Sequence, residues 1–121
     1  MNDQTAIETL ATTLRAQAMS RVDIAARLRE RFGMNALTSL RLAHGWTRAQ
    51  AAAEWNLRWP DDPKQAQNLV YWENHDTEDG WPPNPLMVQR LARLYDCTPE
   101  DLGFADDARF RHLVERSGRA S

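Results

Sequence analysis

Five polar side chains recur at helical spacing between residues 64 and 75. They are Lys64, Gln67, Asn68, Tyr71 and His75, at positions i, i+3, i+4, i+7 and i+11. An α-helix brings such positions to one face, and every one of these side chains can donate or accept a hydrogen bond. Lysine, glutamine and asparagine are side chains that pair with base edges in the major groove of DNA. The pattern therefore favours a base-reading helix, with a merely solvated polar face as the alternative.

The start of this helix carries a recognisable signature. Asp62 is placed as the N-cap, Pro63 takes the first helical position, and Gln65 completes a capping box. These signals predict a helix over residues 63–74. Its buried side is expected to consist of Ala66, Leu69 and Trp72.

The elements around this helix are also predicted to be helices, because no strand-like alternation continues for more than a few residues. Two start signals lie near the N-terminus, Thr5 with Glu8 and Ser20 with Asp23. The second of these helices is expected to stop at Gly33, since glycine commonly follows a helix end. Residues 1–33 therefore contribute two helices.

Three further helix starts follow in the chain. Asn35 caps a predicted helix that ends at Gly45, and Thr47 caps another that ends near Trp55. The third signal, at residues 98–101, predicts another helix. The helix after Thr47 contains a run of small residues that would allow close helix packing, namely Ala49, Ala51, Ala52 and Ala53.

In order and approximate spacing, the segments 40–48, 69–74 and 91–102 resemble the Cro/repressor-type, or xenobiotic-response-element-type, helix-turn-helix family. The resemblance implies an all-α, five-helix DNA-binding domain. It divides the chain into an N-terminal helical extension at 1–33, the DNA-binding domain at 34–105 and a C-terminal extension at 106–121. The last segment carries a short amphipathic stretch with Phe110, Leu113 and Val114.

The same resemblance implies a sequence-specific transcriptional regulator that binds double-stranded DNA. Residues 47–55 correspond to the bracing helix and 63–74 to the recognition helix, which enters the major groove. Sixteen residues lie between Ala52 and Leu69, more than is usual in the family, so the turn is extended. Arg-Trp-Pro in this turn and Tyr-Trp-Glu in the recognition helix are also similar to short actinobacterial regulators. Family members bind pseudo-palindromic operators as homodimers, and we expect the same here.

Residue roles follow from the resemblance. The start of the bracing helix, with Arg48, is expected to contact phosphates, and Arg58 in the extended turn is a second candidate. Arg41 and Glu73 match the positions of a structural ion pair that joins the first helix to the recognition helix. The complete set of expected DNA contacts is Thr47, Arg48, Arg58, Lys64, Gln65, Gln67, Asn68, Tyr71 and His75.

Composition narrows the remaining classes of function. The chain has 121 residues, a formal net charge of −2 and one cysteine, Cys97, so a disulfide framework is excluded. Its three histidines are scattered, and no constellation indicates a metal, a cofactor or an enzyme. No apolar run is long enough for a membrane span and no signal peptide is evident, which predicts a cytoplasmic protein.

The rival hypothesis is a protein-interaction module built on a helix-turn-helix scaffold, with an antitoxin-like or regulator-partner role and little specific DNA binding. Two features favour it, the lengthened turn and the acidic balance of residues 76–107. That segment holds eight acidic residues against two arginines, Arg90 and Arg93. The polar face of the predicted recognition helix disfavours it.

Overall fold

The structure, a computed structural model, describes residues 3–104 and confirms the all-α class. Within this range it contains six α-helices and no strand. The helices are α1 (Asp3–Ala16), α2 (Arg21–Phe32), α3 (Ala36–Ala43), α4 (Arg48–Arg58), α5 (Ala66–Glu73) and α6 (Pro85–Leu94). The C-terminal extension at 106–121, with its amphipathic stretch, lies outside the described residues.

The second of the two N-terminal helices begins and ends where the sequence predicts. The Ser20 side chain accepts a hydrogen bond from the amide of Asp23, and Gly33 adopts a left-handed conformation with φ of 75° after α2. The start expected at Thr5 is wrong, since α1 already begins at Asp3. A hydrogen bond of 2.9 Å between the side chains of Gln4 and Glu8 supports the first turn instead.

Both N-terminal helices share one hydrophobic core with the rest of the described chain. Ile24, Leu28 and Leu40 are completely buried where α2 packs on α3. Arg15 of α1 extends to the end of α3, where its guanidinium donates to the carbonyl of Ala43 at 3.1 Å. This contact satisfies a backbone group that the end of a helix leaves unpaired.

Helices α4 and α5 pack against each other, and of the small residues in the predicted run, Ala49 and Ala53 are exposed. Ala51 and Ala52 are buried, and Trp55 of α4 lies 5.5 Å from Trp72 of α5 between ring centroids. Thr47 caps α4 as predicted, in a capping box with Gln50. The helix continues to Arg58, beyond its predicted end.

The helix predicted from the signal at 98–101 is wrong, because the chain forms only successive turns over residues 99–103. The capping contacts themselves are present: the Thr98 amide donates to the Asp101 carboxylate at 2.9 Å, and the Asp101 amide donates to the Thr98 hydroxyl at 3.2 Å. Gly103 then takes a left-handed conformation with φ of 86°, which ends the turn.

Candidate nucleic-acid interface

A buried ion pair fixes the C-terminal end of α5. Arg41 of α3 donates from Nε to Glu73 Oε2 at 2.7 Å and from Nη2 to Oε1 at 3.1 Å, the bidentate arrangement expected from the sequence. The two side chains are 8% and 2% exposed. Arg41 also donates to the carbonyl of Trp46 at 2.9 Å, so the guanidinium is held from both sides.

Two more side chains converge on the same carboxylate. Arg48, the first residue of α4, donates from Nε to Glu73 Oε1 at 3.1 Å, and the Thr38 hydroxyl donates to the same oxygen at 3.2 Å. Asn35 caps α3 and also donates to the Glu73 carbonyl at 2.6 Å. Glu73 therefore joins α3, α4 and α5. No sequence pattern predicted this role for Arg48, which was expected to contact phosphate.

Arg48 nevertheless remains partly accessible. Its side chain is 41% exposed while its Nε is engaged by Glu73. It lies next to Thr47 and two residues before Gln50, both of which are exposed at the N-terminal end of α4. A guanidinium held in this manner can pair a second anion through its other nitrogens.

The connection between α4 and α5 occupies residues 59–65 and is held at two points. The Trp55 indole donates to the carbonyl of Asp62 at 2.8 Å. The Asn56 side chain accepts from the amide of Lys64 at 2.7 Å and donates to its carbonyl at 3.0 Å. These contacts hold the segment before Ala66 in a nonhelical conformation. The connection is longer than the usual turn of a helix-turn-helix.

The start signal at Asp62 and Pro63 is therefore wrong, and α5 begins three residues later, at Ala66. Asn68 caps the helix from within, since its Oδ1 accepts the Gln65 amide at 2.8 Å. The reason is a competing contact: the Asn56 side chain donates to the carbonyl of Lys64, which in a helix starting at Pro63 would accept the amide of Asn68.

The side chains of Asp62 and Lys64 instead anchor the connection to α6. Asp62 accepts from Lys64 at 2.8 Å and from Arg90 at 2.9 Å. The hydrogen bond from Lys64 is the main cause that lowers the pKa of the Asp62 carboxyl. Arg90 also lies over the rings of Trp59 and Trp55, at 5.4 and 5.9 Å from their centroids. Lys64, whose side chain is 16% exposed, is thus withdrawn from the predicted polar face.

The C-terminal part of that face is also covered. The ring of Tyr71 stacks on Trp81 with centroids 4.0 Å apart, and the Trp81 amide donates to the Tyr71 carbonyl at 3.2 Å. A Cβ on Gly80 would collide with the carbonyl oxygens of Tyr71 and Asn74, so only glycine allows this approach. His75 packs against Phe104, with centroids 5.0 Å apart. Tyr71 and His75 are therefore engaged by the chain itself.

Three of the expected base-contacting residues remain together at the N-terminal end of α5. Gln65 and Gln67 are exposed, and Asn68 is half-buried with its Oδ1 in the cap. Arg58 is exposed at the end of α4, where it pairs with Glu54 at 3.2 Å. The predicted face is thus reduced to its first turn.

Three further titratable side chains have shifted pKa values. Burial lowers the pKa of His44, against the contact of its Nε2 with the Tyr95 carbonyl at 2.8 Å, which raises it. Burial raises the pKa of the Cys97 thiol to about 12, which leaves it protonated at neutral pH. The Tyr95 hydroxyl is buried without a hydrogen-bond partner in residues 3–104, and burial raises its pKa as well.

Neither a metal-binding cluster nor a membrane-spanning helix occurs among residues 3–104. No group of three or more His, Cys, Asp or Glu side chains there is arranged to hold a metal ion. None of its helices is long and apolar enough to cross a membrane. Compared with protein-family models, curated proteins and solved structures, the chain gives no match.

Proposed function

We propose that the chain is a sequence-specific DNA-binding transcriptional regulator of the Cro/repressor type, in which the first turn of α5 enters the major groove. The observation that carries the proposal is the exposure of Gln65 and Gln67, with the half-buried Asn68 beside them, at the start of a helix whose other end is fixed. In helix-turn-helix proteins the N-terminal residues of the recognition helix contact base edges. Glutamine and asparagine can each pair bidentately with adenine.

The packing of α4 on α5 supports the same function. A bracing helix must hold the recognition helix at a constant angle, and the buried Ala51 and Ala52 allow the two helices to approach closely. Glu73 connects the end of α5 to Arg48 at the start of α4. The two helices are therefore tied together at the point where α4 would meet the DNA backbone.

The start of α4 is the proposed phosphate-binding point. Arg48 is 41% exposed and stands beside the N-cap Thr47, where the unpaired amides and the helix dipole favour an anion. Arg58 is a weaker candidate because it already pairs with Glu54 in the same helix. We expect phosphate contacts to set orientation and the Gln65–Gln67–Asn68 turn to set sequence preference.

The long connection at 59–65 is compatible with this proposal because it is anchored. Asn56, Asp62 and Trp55 fix it to α4 and α6, so its length does not leave the start of α5 loose. By the resemblance, the active form is a homodimer on a pseudo-palindromic operator. Its half-sites would lie about one helical turn apart.

A protein-interaction module remains the second candidate, favoured by large apolar side chains on the surface. Leu57 is 78% exposed, Trp81 53% and Leu86 45%. Trp81 covers the face of α5 that would otherwise extend the base-reading surface. Such side chains are enriched where proteins bind one another.

Selection from random-sequence duplex DNA with the purified chain separates the two functions. If the chain is a DNA-binding regulator, the selection should enrich a pseudo-palindromic motif. The affinity of the chain for this motif should fall steeply as the salt concentration is raised, because phosphate contacts release counterions. If the chain is a protein-interaction module, no DNA motif should be enriched. A parallel selection with the double variant Gln65→Ala/Gln67→Ala tests whether the sequence preference comes from the start of α5. The control is Gln17→Ala, which replaces an exposed glutamine just after α1.

A further inference from the structure

A groove of about 660 Å³ lies between α1, α3 and the start of α4. We name it the α1–α3 groove. Its apolar lining includes Ile7, Phe32, Leu42 and Trp46, which are all half-buried, and the buried Ala11. The volume falls within the range of small-molecule sites, which are mostly apolar with a few charged groups that fix orientation.

The charged groups at this groove are mainly cationic. Arg15, Arg41 and Arg48 contribute to its lining, and Glu8 is the acidic residue among the lining side chains. Glu73 behind Arg41 and Arg48 neutralises one of these charges. Arg41 is buried and bound on both sides, and Arg15 is occupied by backbone carbonyls of α3. Arg48, by contrast, has 41% of its side chain exposed, so its guanidinium remains accessible.

We propose that the α1–α3 groove binds a small amphipathic carboxylate, a medium-chain acyl or aryl acid. Its hydrocarbon part lies against Ile7, Phe32 and Leu42, and its carboxylate pairs with Arg48. The size of the groove, its apolar lining residues and the accessible guanidinium of Arg48 select this chemistry together. A guanidinium pairs a carboxylate through two parallel hydrogen bonds, a geometry that an alcohol of the same length cannot supply.

Occupation of the groove has a consequence for α5. The bound carboxylate shares Arg48 with Glu73, so the ligand weakens the contact that ties the start of α4 to the end of α5. Through this contact the ligand changes DNA affinity, a consequence that rests on the proposed function. Binding of the ligand itself does not depend on that function.

Isothermal titration of the full chain with decanoate, and with decanol as the neutral match, tests the site. We expect saturable binding of decanoate at one site per chain and at least about tenfold weaker binding of decanol, the difference made by a charge-assisted hydrogen bond. Arg48→Gln should abolish the preference for the acid, whereas Arg93→Gln on the exposed side of α6 should retain it. Equal binding of acid and alcohol by the parent chain would overturn the carboxylate assignment.

A matched pair on α1 tests the location. Ile7 lines the groove, so Ile7→Asn should weaken decanoate binding at least about tenfold. This is the effect expected from losing the burial of one apolar side chain. Leu10→Asn, half-buried on the same helix but outside the groove, should leave it unchanged. Thermal melts of both variants check folding, and amide NMR shifts of the unmodified chain locate the ligand without any variant. Absence of binding, or shifts away from Ile7 and Leu42, would refute the site.

A DNA-binding measurement with and without decanoate then tests the coupling. A change in operator affinity that Arg48→Gln removes supports both the site and its link to α5. If the chain binds decanoate in the calorimeter but binds no DNA, the ligand site is retained and the proposed function is rejected. Unchanged operator affinity at saturating decanoate would reject the coupling alone.

Discussion

The two ends of α5 differ in what surrounds them. At the C-terminal end, Glu73 is 4% exposed and takes hydrogen bonds from Arg41, Arg48 and Thr38, while Trp81 stacks on Tyr71. At the N-terminal end, Gln65 and Gln67 are exposed. One short helix therefore combines a rigid attachment at one end with accessible polar side chains at the other. Stability should depend on one end and DNA preference on the other.

The largest effect is expected from the buried ion pair. Arg41→Ala should lower the free energy of unfolding by about 3–5 kcal/mol, because it leaves the Glu73 carboxylate buried with fewer donors. Arg93→Ala on the exposed surface should change it by less than about 0.5 kcal/mol. Urea titrations of the two variants and the parent measure the difference. Similar losses for both variants would show that the C-terminal end of α5 is not held by this pair.

The cover on the C-terminal end gives a second test. Gly80→Ala should destabilise the chain by about 1–3 kcal/mol, since the added methyl group collides with the carbonyls of Tyr71 and Asn74 and forces the loop outward. Asp79→Ala, an exposed neighbour, is the control. Thermal unfolding followed by circular dichroism reports both. A variant as stable as the parent would mean that the loop does not pack closely on α5.

Arg48 ties the start of α4 to the C-terminal end of α5 and should affect DNA binding independently of sequence. If it contacts a phosphate, Arg48→Ala should weaken binding to all duplexes about equally and reduce the slope of log affinity against log salt by about one. Anisotropy titrations at several salt concentrations on a selected operator and on an unrelated duplex give both quantities. A loss confined to the operator would instead assign Arg48 to base recognition.

A smaller effect is expected from pH. Burial lowers the pKa of His44 in the folded chain, so the unfolded chain binds more protons between the folded pKa and the ordinary value of 6.5. Stability should therefore be fully present above pH 6.5 and fall as the pH passes down through the folded pKa. His44→Gln should flatten this part of the profile, because its amide carries no titratable proton. An unchanged profile in the variant would assign the pH dependence elsewhere.

The sequence predicted the elements whose signals are local. Ser20, Asn35 and Thr47 cap helices because each accepts the amide three residues ahead, a contact that neighbouring residues alone can specify. The pair of Arg41 and Glu73 was also expected, through the family resemblance rather than through helical periodicity.

What the sequence missed depends on contacts between distant segments. Asp62 and Pro63 form a good start signal, but Asn56 binds the backbone of Lys64 and Arg90 binds the Asp62 carboxylate, so the helix begins later. Periodicity likewise placed Tyr71 on a solvent face, because it carries no information about a loop that folds back onto the helix. Gly80 alone permits that approach.

The proposal that the first turn of α5 reads DNA bases is tested most sharply by comparing Gln67→Ala with Tyr71→Phe on a selected operator. Anisotropy titrations against the operator and its single-base variants measure both affinity and preference. Gln67→Ala should make the free energy of operator binding less favourable by about 1–3 kcal/mol and relax the preference at one or two bases. Tyr71 is stacked under Trp81, so Tyr71→Phe should bind like the parent. Parent-like affinity and preference in Gln67→Ala, on an operator that the parent binds specifically, would contradict the account.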